Sequence, residues 1–125
     1  MIVDFNTSYY VADFPADRIY LLNDNYEYVA NKTFSSPAYM VTINSSLYIT
    51  GQTSIWKTDK YLNVSQTYTS NGSQYRGIYF NSTENFIYVS DTSRTDFQVF
   101  NMNLSLEYTV NVSTYSVNVS SIFFF

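Results

Sequence analysis

The residues with the clearest chemical potential in this sequence are asparagines in Asn-x-Ser/Thr triplets, the acceptor pattern for N-linked glycans. None has proline in the middle, and the nine are Asn6, Asn31, Asn44, Asn63, Asn71, Asn81, Asn103, Asn111 and Asn118. With 13 asparagines and 30 serines plus threonines in 125 residues, chance gives about three such triplets. The excess predicts several N-glycans. Asn44, Asn71 and Asn81 are the best candidates, because they fall in predicted turns where an amide is exposed.

A simpler origin for some of these triplets is strand alternation. Side chains two residues apart share a face of a strand, so a polar face places Asn and Ser two apart, as in Asn63-Val64-Ser65. Asparagine is also common in turns, because it tolerates left-handed backbone geometry. Outside a eukaryotic secretory pathway, the nine asparagines are only polar turn and strand residues.

Other chemistry is limited by composition. The chain has no cysteine and no histidine, which excludes the usual zinc ligand sets, disulfides, haem-ligating histidine and histidine-dependent triads within it. Asp13 and Asp91 occupy equivalent places after two similar strands, where aspartates either bind Ca²⁺ or, more often, accept hydrogen bonds from turn amides. Glycosidases need two carboxylates about 5–9.5 Å apart, and the sequence does not predict that any pair of acidic residues lies at that distance. We therefore predict no catalytic residue, metal or cofactor, and no enzymatic activity.

Charge and hydropathy limit which classes of partner and which cellular location are expected for this chain. Only 13% of residues are charged, 20% are aromatic, and the net charge is −4, which argues against nucleic acid or anionic lipid as a partner. No run of 18 apolar residues predicts a membrane span, and Met1–Asn6 does not resemble a signal peptide. Together with the glycosylation triplets, this predicts a secreted or cell-surface location, with the signal peptide in a missing N-terminal part.

A strand motif recurs along the chain. Its anchors are Tyr10, Tyr48, Tyr88 and Phe123, which lie 38, 40 and 35 residues apart. Each of the first three anchors is followed by three further short runs rich in Tyr, Ile, Val, Phe and Thr, bounded by Asn, Ser, Asp or Gly. Four strands in about 40 residues is the period of a β-propeller blade. A β-sandwich has similar turn spacing but requires no such repeat, so the sequence favours an all-β propeller.

The quoted segments also resemble known repeats. Ile87-Tyr88-Val89-Ser90-Asp91, followed by Phe97-Gln98-Val99-Phe100-Asn101, is similar to a blade of NHL-type propellers. Tyr48-Ile49-Thr50-Gly51 and Tyr10-Val11-Ala12-Asp13 resemble the same element, and equally the YVTN-type repeats of microbial surface-layer proteins. The resemblance implies a propeller fold. A lyase among the NHL-type propellers holds zinc through histidine, so that activity is not implied for this chain.

The repeat count predicts an incomplete ring. If each anchor is the second strand of a blade, the chain begins and ends at second strands. The predicted units are then approximately 9–46, 47–85 and 86–121, with a dangling strand at 122–125, in one partial domain over 1–125. About four to eight blades close a propeller. Three blades should form an open arc, a fragment of a larger propeller, and the exposed aromatic faces should make the isolated chain aggregate or dimerise.

Three functions are compatible with this architecture. The first is a non-catalytic extracellular segment that binds or scaffolds a protein or carbohydrate partner. The second is a fragment of a propeller hydrolase or lyase with its catalytic residues elsewhere, and the third is a structural glycoprotein that self-assembles through its open blade edges. Exposed tyrosines and Trp56 could stack on sugars. We expect instead that most aromatics, including Tyr10, Tyr48 and Tyr88, pack between blades.

Overall fold

The computed structural model describes residues 1–5 and 7–112, which form twelve β-strands and no helix. The strands are short runs of β-branched and aromatic residues separated by Asn, Asp, Ser and Gly. They are β1 (Ile2–Phe5), β2 (Ser8–Asp13), β3 (Arg18–Leu22), β4 (Tyr28–Thr33), β5 (Tyr39–Ile43), β6 (Ser46–Thr50), β7 (Ser54–Thr58), β8 (Val64–Thr69), β9 (Tyr75–Asn81), β10 (Phe86–Asp91), β11 (Asp96–Phe100) and β12 (Leu106–Asn111).

Consecutive strands pair antiparallel to form three four-stranded sheets. Blade 1 contains β1–β4, blade 2 contains β5–β8 and blade 3 contains β9–β12, each in sequence order. The anchor residues Tyr10, Tyr48 and Tyr88 lie on the second strand of their blades. The predicted all-β class and the three four-stranded antiparallel units are confirmed.

The prediction that the chain begins at the second strand of a blade was wrong. Ile2–Phe5 forms a first strand, in which Val3 pairs with Tyr10 and Ile2 with Val11. This strand escaped sequence analysis because it is only four residues long. The sheets are thus offset by one strand from the units 9–46, 47–85 and 86–121. The dangling strand predicted at 122–125 lies outside the described residues.

Two buried clusters join the blades in order. The first interface packs blade 1 against blade 2, and its buried residues are Tyr10, Ile19, Leu21, Phe34, Met40, Leu47, Ile49 and Leu62. The second packs blade 2 against blade 3 through Ile43, Tyr48, Ile55, Tyr75, Ile87, Val89, Phe100 and Leu104. Alternate residues of β6 face opposite interfaces, because successive side chains of a strand point to opposite sides of the sheet. The core therefore lies between the sheets, as in an arc of stacked blades.

The repeat-matched tyrosines connect successive blades through the same hydrogen bond. Tyr10 of blade 1 donates its hydroxyl proton to the carbonyl oxygen of Lys60 in blade 2, and Tyr48 of blade 2 donates to that of Met102 in blade 3 at 2.7 Å. Both side chains are fully buried, and this burial raises the pKa of each hydroxyl to about 12 because it disfavours the phenolate. Their predicted role in inter-blade packing is confirmed.

The carbonyl acceptors belong to a five-residue turn that repeats between the third and fourth strands of every blade. In each copy the side chain of the first residue accepts two backbone amide hydrogen bonds, and these residues are Asn23, Asp59 and Asn101. The fourth residue adopts a positive φ, and these are Tyr26 (62°), Leu62 (66°) and Leu104 (58°). Leu62 and Leu104 are buried in the two interfaces, whereas Tyr26 of blade 1 is 68% exposed.

Each blade has two edges that carry different connections. Because the strands alternate in direction, the turns after the first and third strands share one edge of a sheet. We call this the lower edge; in blade 2 it includes residues 44–45 and 59–63. The turns after the second strand and the loops between blades share the opposite, upper edge, which includes residues 14–17, 34–38, 51–53 and 70–74.

Candidate binding surface

A cleft opens at the upper edge, where all three blades meet. It encloses about 340 Å³ of space open to solvent, and its lining residues are Phe14, Ser36, Ala38, Gln52, Gln74, Tyr75 and Arg76. Only about 80 Å³ of this space is comparable with a cavity volume, well below the range of typical small-ligand sites, about 300–1,000 Å³. The cleft is suited to one or two inserted side chains rather than to a large cofactor.

An arginine and a phenylalanine give this cleft its chemical character. The guanidinium carbon of Arg76 lies 5.7 Å from the ring centroid of Phe14, in cation–π geometry. Both side chains are exposed, Phe14 by 47%. None of the seven lining residues is acidic. The cleft therefore presents a cationic fork beside an apolar ring, an arrangement that favours carboxylate and aromatic or aliphatic groups.

Three hydrogen bonds to main-chain carbonyl groups, two of them between blades 2 and 3, hold the cleft walls in place. The amide of Tyr75 donates to the carbonyl oxygen of Gln52 at 3.0 Å, and the hydroxyl of Thr50 donates to that of Arg76 at 2.6 Å. The amide of Ala38 donates in turn to the carbonyl oxygen of Thr50 at 2.7 Å. Because these bonds fix the main chain on both sides of Arg76, the cleft is preformed in the folded chain.

A buried aspartate supports the wall of blade 3. Oδ1 of Asp91 accepts hydrogen bonds from the amide of Gln74 (2.9 Å) and from the amide and hydroxyl of Ser93 (3.0 and 2.6 Å). Burial acts to raise the pKa of this carboxyl, but the hydrogen bonds outweigh burial and hold the pKa below its usual value. In blade 1, Asp13 accepts the amide of Ala16 at 3.3 Å. Asp13 and Asp91 thus accept hydrogen bonds from turn amides, which the sequence analysis gave as the more common role of such aspartates. Within residues 1–5 and 7–112, no group of three or more acidic side chains is placed to hold a metal ion.

A second exposed surface is the face of blade 1 that points away from blade 2. Strand pairing places Ile2, Val11 and Tyr20 in one row of this face, and Tyr9 opposite Leu22 in the next. Ile2 is 66% exposed, and the Tyr9 ring lies 4.9 Å from that of Tyr26. The opposite end of the arc differs, because Tyr88 and Val99, on the face of blade 3 away from blade 2, are buried. Among the described residues, the outer face of blade 1 is thus partly exposed, with Ile2 the most exposed of those named, whereas Tyr88 and Val99 on the outer face of blade 3 are buried.

Aromatic side chains are more widely exposed than the sequence analysis predicted. Trp56 packs edge-to-face on Phe34 at 5.2 Å, at the border of the first interface, so it is part of the inter-blade packing. Six others are more than two-fifths exposed, namely Phe14, Tyr26, Tyr28, Tyr39, Tyr61 and Tyr108. These six residues do not pack between blades; they lie on turns, on outer strands or at the rim of the cleft.

The glycosylation candidates are distributed over both edges. Asn44, Asn63, Asn81 and Asn103 lie at or beside lower-edge turns, and Asn71 lies in the upper-edge loop between blades 2 and 3. Asn31 and Asn111 belong to the outer strands β4 and β12. Asn6 and Asn118 fall outside the described residues. Nothing in this distribution brings the candidates together at one point, as a metal or catalytic site would require.

Sequence analysis missed the cleft and the repeated lower-edge turn. The turn has a detectable signal, since Asn23, Asp59 and Asn101 each precede by three residues a residue with positive φ. That signal stayed hidden because the fourth positions, Tyr26, Leu62 and Leu104, are residue types that rarely adopt such a backbone. The pairing of Phe14 with Arg76 joins residues 62 positions apart and has no local signature.

Among the residues that the structure describes, no helix is long and apolar enough to cross a membrane. No family model matches the sequence, and no curated protein matches it significantly.

Solved structures resemble the chain in fold. The β-propeller domain of Myceliophteria thermophila Cps50 (Swd1) superimposes with a TM-score of 0.74 at 11% identity, covering 89% of this chain and 42% of that one. The WD40 β-propeller domain of Doa1 gives 0.73 at 14% identity, covering 88% and 38%. The Neurospora crassa Pan2 WD40 domain gives 0.69 at 7%, covering 89% and 35%.

The chain therefore spans about two-fifths of the length of these propellers. At such low identities the likeness shows the fold alone. Together with the three stacked four-stranded sheets, it establishes that this chain has the β-propeller fold, with three blades in its described part.

Proposed function

We propose that this chain is a non-catalytic binding module of a secreted or cell-surface protein, and that its upper-edge cleft holds an extended segment of a partner protein. One observation carries the proposal: three blades together build a preformed cleft in which exposed Arg76 lies over exposed Phe14. A β-propeller scaffold supports a binding or scaffolding role, because propellers present loops from several blades around one surface.

The chemistry of the cleft suggests the partner. A guanidinium group with free donors pairs well with a carboxylate, and the ring of Phe14 offers an apolar contact beside it. Gln52 and Gln74 add exposed amides that can bond to the backbone of an extended chain. We therefore expect a peptide segment with an acidic residue next to an aromatic or aliphatic one.

Charge-reversal variants test this proposal. The full chain is immobilised and exposed to cell-surface and medium proteins from the native source, and the retained proteins are identified. We expect Arg76→Glu and Phe14→Ser to abolish retention of a partner, which a synthetic acidic peptide derived from it should displace. Lys60→Glu is the matched control, because Lys60 is exposed on a lower-edge turn of blade 2. Equal loss with Lys60→Glu, or none with Arg76→Glu, would contradict the proposal.

The extracellular location is tested separately. Nine glycosylation triplets, where about three are expected by chance, support it. The intact mass of protein from its native source should fall on treatment with a peptide-N-glycosidase. An unchanged mass would remove the support for a secretory route and leave the cleft proposal to the binding experiment.

Self-assembly is a second candidate, favoured by the exposed face of blade 1. Ile2, Val11, Tyr20 and Leu22 cover there a sheet surface that in blade 2 is buried in the first interface. The occupant would be a second copy of this chain, since this face continues the interface type that its own blades make. Size-exclusion chromatography with light scattering should then show species above 14.5 kDa, and Val11→Asp should return them to monomer. A wild-type monomer at every concentration would refute it.

A further inference from the structure

Six asparagines of the glycosylation triplets divide into two groups, according to whether their side-chain amides are hydrogen-bonded within the fold; Asn111, at the end of the outer strand β12, is assigned to neither group. An N-glycan is attached at Nδ2, so the use of that nitrogen and its access to solvent decide whether a site is compatible with the folded chain. The structure describes seven of the nine asparagines, since Asn6 and Asn118 lie outside the described residues.

Two asparagines of the first group are bonded at both side-chain atoms. Asn31 donates from Nδ2 to the hydroxyl of Tyr28 at 2.8 Å, and its Oδ1 accepts from Arg18. Asn63 donates from Nδ2 to Oδ2 of Asp59 at 3.0 Å, and its Oδ1 accepts from Nζ of Lys32 at 2.6 Å. Asn63 thus stabilises the repeated turn of blade 2 whose carbonyl accepts the hydrogen bond of Tyr10.

Asn81 belongs to the same group. Its Oδ1 accepts the amides of Thr83 (3.0 Å) and Glu84 (3.3 Å), which closes the β9–β10 turn, and its Nδ2 lies 3.4 Å from the hydroxyl of buried Tyr88. The side chain is only partly accessible. A sugar on Nδ2 would have to occupy the space between this turn and Tyr88.

The second group contains Asn44, Asn71 and Asn103. All three are exposed: Asn44 in the β5–β6 turn, Asn71 in the loop between blades 2 and 3, and Asn103 in the repeated turn of blade 3. The backbone amide of Asn103 is bonded to Asn101, but among the described residues none of the three side-chain amides has a hydrogen-bonding partner. A substituent on their Nδ2 would extend into solvent.

We propose that Asn44, Asn71 and Asn103 carry N-linked glycans, and that Asn31, Asn63 and Asn81 are structural asparagines without glycans. The proposal rests on the secretory route of the proposed function. In the transfer, Nδ2 forms a bond to the anomeric carbon of a lipid-linked oligosaccharide. The bond from that carbon to the lipid diphosphate breaks, the diphosphate leaves, and Nδ2 loses one proton and keeps the other. The sugar and the remaining proton both need an Nδ2 that is not held by the fold. Among the described residues, Nδ2 is exposed and unbonded in the second group, whereas in the first group it is hydrogen-bonded to Tyr28, Asp59 or Tyr88.

Glycans at the three proposed sites would lie at different distances from the upper-edge cleft. Glycans on Asn44 and Asn103 would project from the lower edge, away from the upper-edge cleft. A glycan on Asn71 would stand three residues before Gln74, at the rim of the cleft. It would restrict access to a narrow, extended segment and exclude a globular surface.

Site mapping in a secretory host tests the assignment independently of the native location. The full chain with an appended signal peptide is secreted from eukaryotic cells, and the monodisperse folded fraction is treated with a peptide-N-glycosidase in ¹⁸O-labelled water and mapped by mass spectrometry. We expect the label at Asn44, Asn71 and Asn103, and unmodified asparagine at 31, 63 and 81. Labelled Asn81 in the folded fraction, or unlabelled Asn44 and Asn103, would overturn the proposal.

Glutamine substitutions provide a second readout that a loss of folding cannot imitate. Asn44→Gln and Asn103→Gln should each remove the mass of one glycan. Asn103→Gln should change the melting temperature of the deglycosylated protein little, whereas Asn44→Gln should lower it slightly, because Asn44 adopts a positive φ (54°) that asparagine tolerates better than glutamine. Asn63→Gln and Asn81→Gln should leave the glycan mass unchanged but lower the melting temperature by several degrees. The opposite pattern would refute the assignment. If protein from the native source carries no glycan while the secreted chain carries the three predicted ones, the secretory part of the proposed function fails and the site assignment stands.

Discussion

The carbonyl oxygen of Met102 offers a sharp test of how the blades are joined, because two side chains from blade 2 donate to it. The hydroxyl of Tyr48 lies 2.7 Å away and Nζ of Lys57 lies 3.0 Å away. Tyr48→Phe removes one donor and keeps the ring in the second interface. Lys57→Met removes the other donor and keeps a side chain of similar length. Each single variant leaves the carbonyl with one partner, and the double variant leaves it with neither.

The expected losses in the free energy of unfolding depend on whether the carbonyl of Met102 keeps one of its two donors or loses both. A typical intramolecular hydrogen bond contributes about 1 kcal/mol net, so Tyr48→Phe should lower the free energy of unfolding by about 0.5–1 kcal/mol. For a chain of this size that corresponds to a fall of about 4 °C in melting temperature. Leaving a buried carbonyl without any partner costs about 1–3 kcal/mol, and the partly buried carbonyl of Met102 belongs at the lower end of this range. The double variant should therefore exceed the sum of the single variants by about 1 kcal/mol.

Urea unfolding followed by tryptophan fluorescence measures this coupling, since Trp56 lies on β7 beside Lys57. Tyr61→Phe is the matched control, because Tyr61 is 57% exposed and its hydroxyl makes no hydrogen bond among the described residues. It should leave stability unchanged. Additive single and double variants, or a loss with Tyr61→Phe equal to that with Tyr48→Phe, would refute the idea that the hydroxyl fastens blade 2 to blade 3.

Three further outcomes are expected. The pKa of Tyr10 and of Tyr48 is about 12 in the folded chain and about 10 in the unfolded chain, so the folded chain binds more protons than the unfolded chain between pH 10 and pH 12. The contribution of these two tyrosines to the free energy of unfolding should therefore be complete below about pH 10 and lost as the pH rises towards about 12. Urea unfolding at stepwise higher pH measures this loss. Gly51→Ala should lower the free energy of unfolding by about 1–3 kcal/mol in urea titrations, because a Cβ there would lie 2.5 Å from the Trp56 ring and 2.6 Å from a backbone carbonyl oxygen. Leu62→Ala should cost about 2–4 kcal/mol, because Leu62 is buried. Tyr26→Ala, at the same turn position of blade 1, should cost less than about 1 kcal/mol, because Tyr26 is exposed and loses mainly its contact with the Tyr9 ring.

Repetition made the fold predictable. Tyr10, Tyr48 and Tyr88 recur at nearly constant spacing because each occupies the second strand of a blade, where burial requires a large side chain and the strand requires its neighbours to be β-branched or aromatic. Strand number and antiparallel order follow from that period. β1 was missed because a strand of only four residues is too short for its alternation to stand out in the sequence.

The candidate site was much less predictable. Arg76 and Phe14 have no unusual spacing, and they meet only because blades 1 and 3 converge at the upper edge. The sequence also could not predict which asparagines have side-chain amides that are hydrogen-bonded within the fold. Asn81 was among the preferred glycosylation sites because it lies in a turn, but turn asparagines often close the turn with their own side chains, as this one does. Only geometry separates it from Asn103.

The hydrogen bond between a tyrosine hydroxyl and the carbonyl of the next blade's turn gives each blade a direction. One side of a blade provides the donor, and the other provides the acceptor turn with its buried fourth residue. A copy of blade 2 inserted after itself would meet a matching tyrosine donor in the blade before it and a matching acceptor turn in the blade after it. A gene with such blades can therefore lengthen or shorten by whole repeats without a new interface having to evolve, and the number of blades becomes a variable that duplication alone can change.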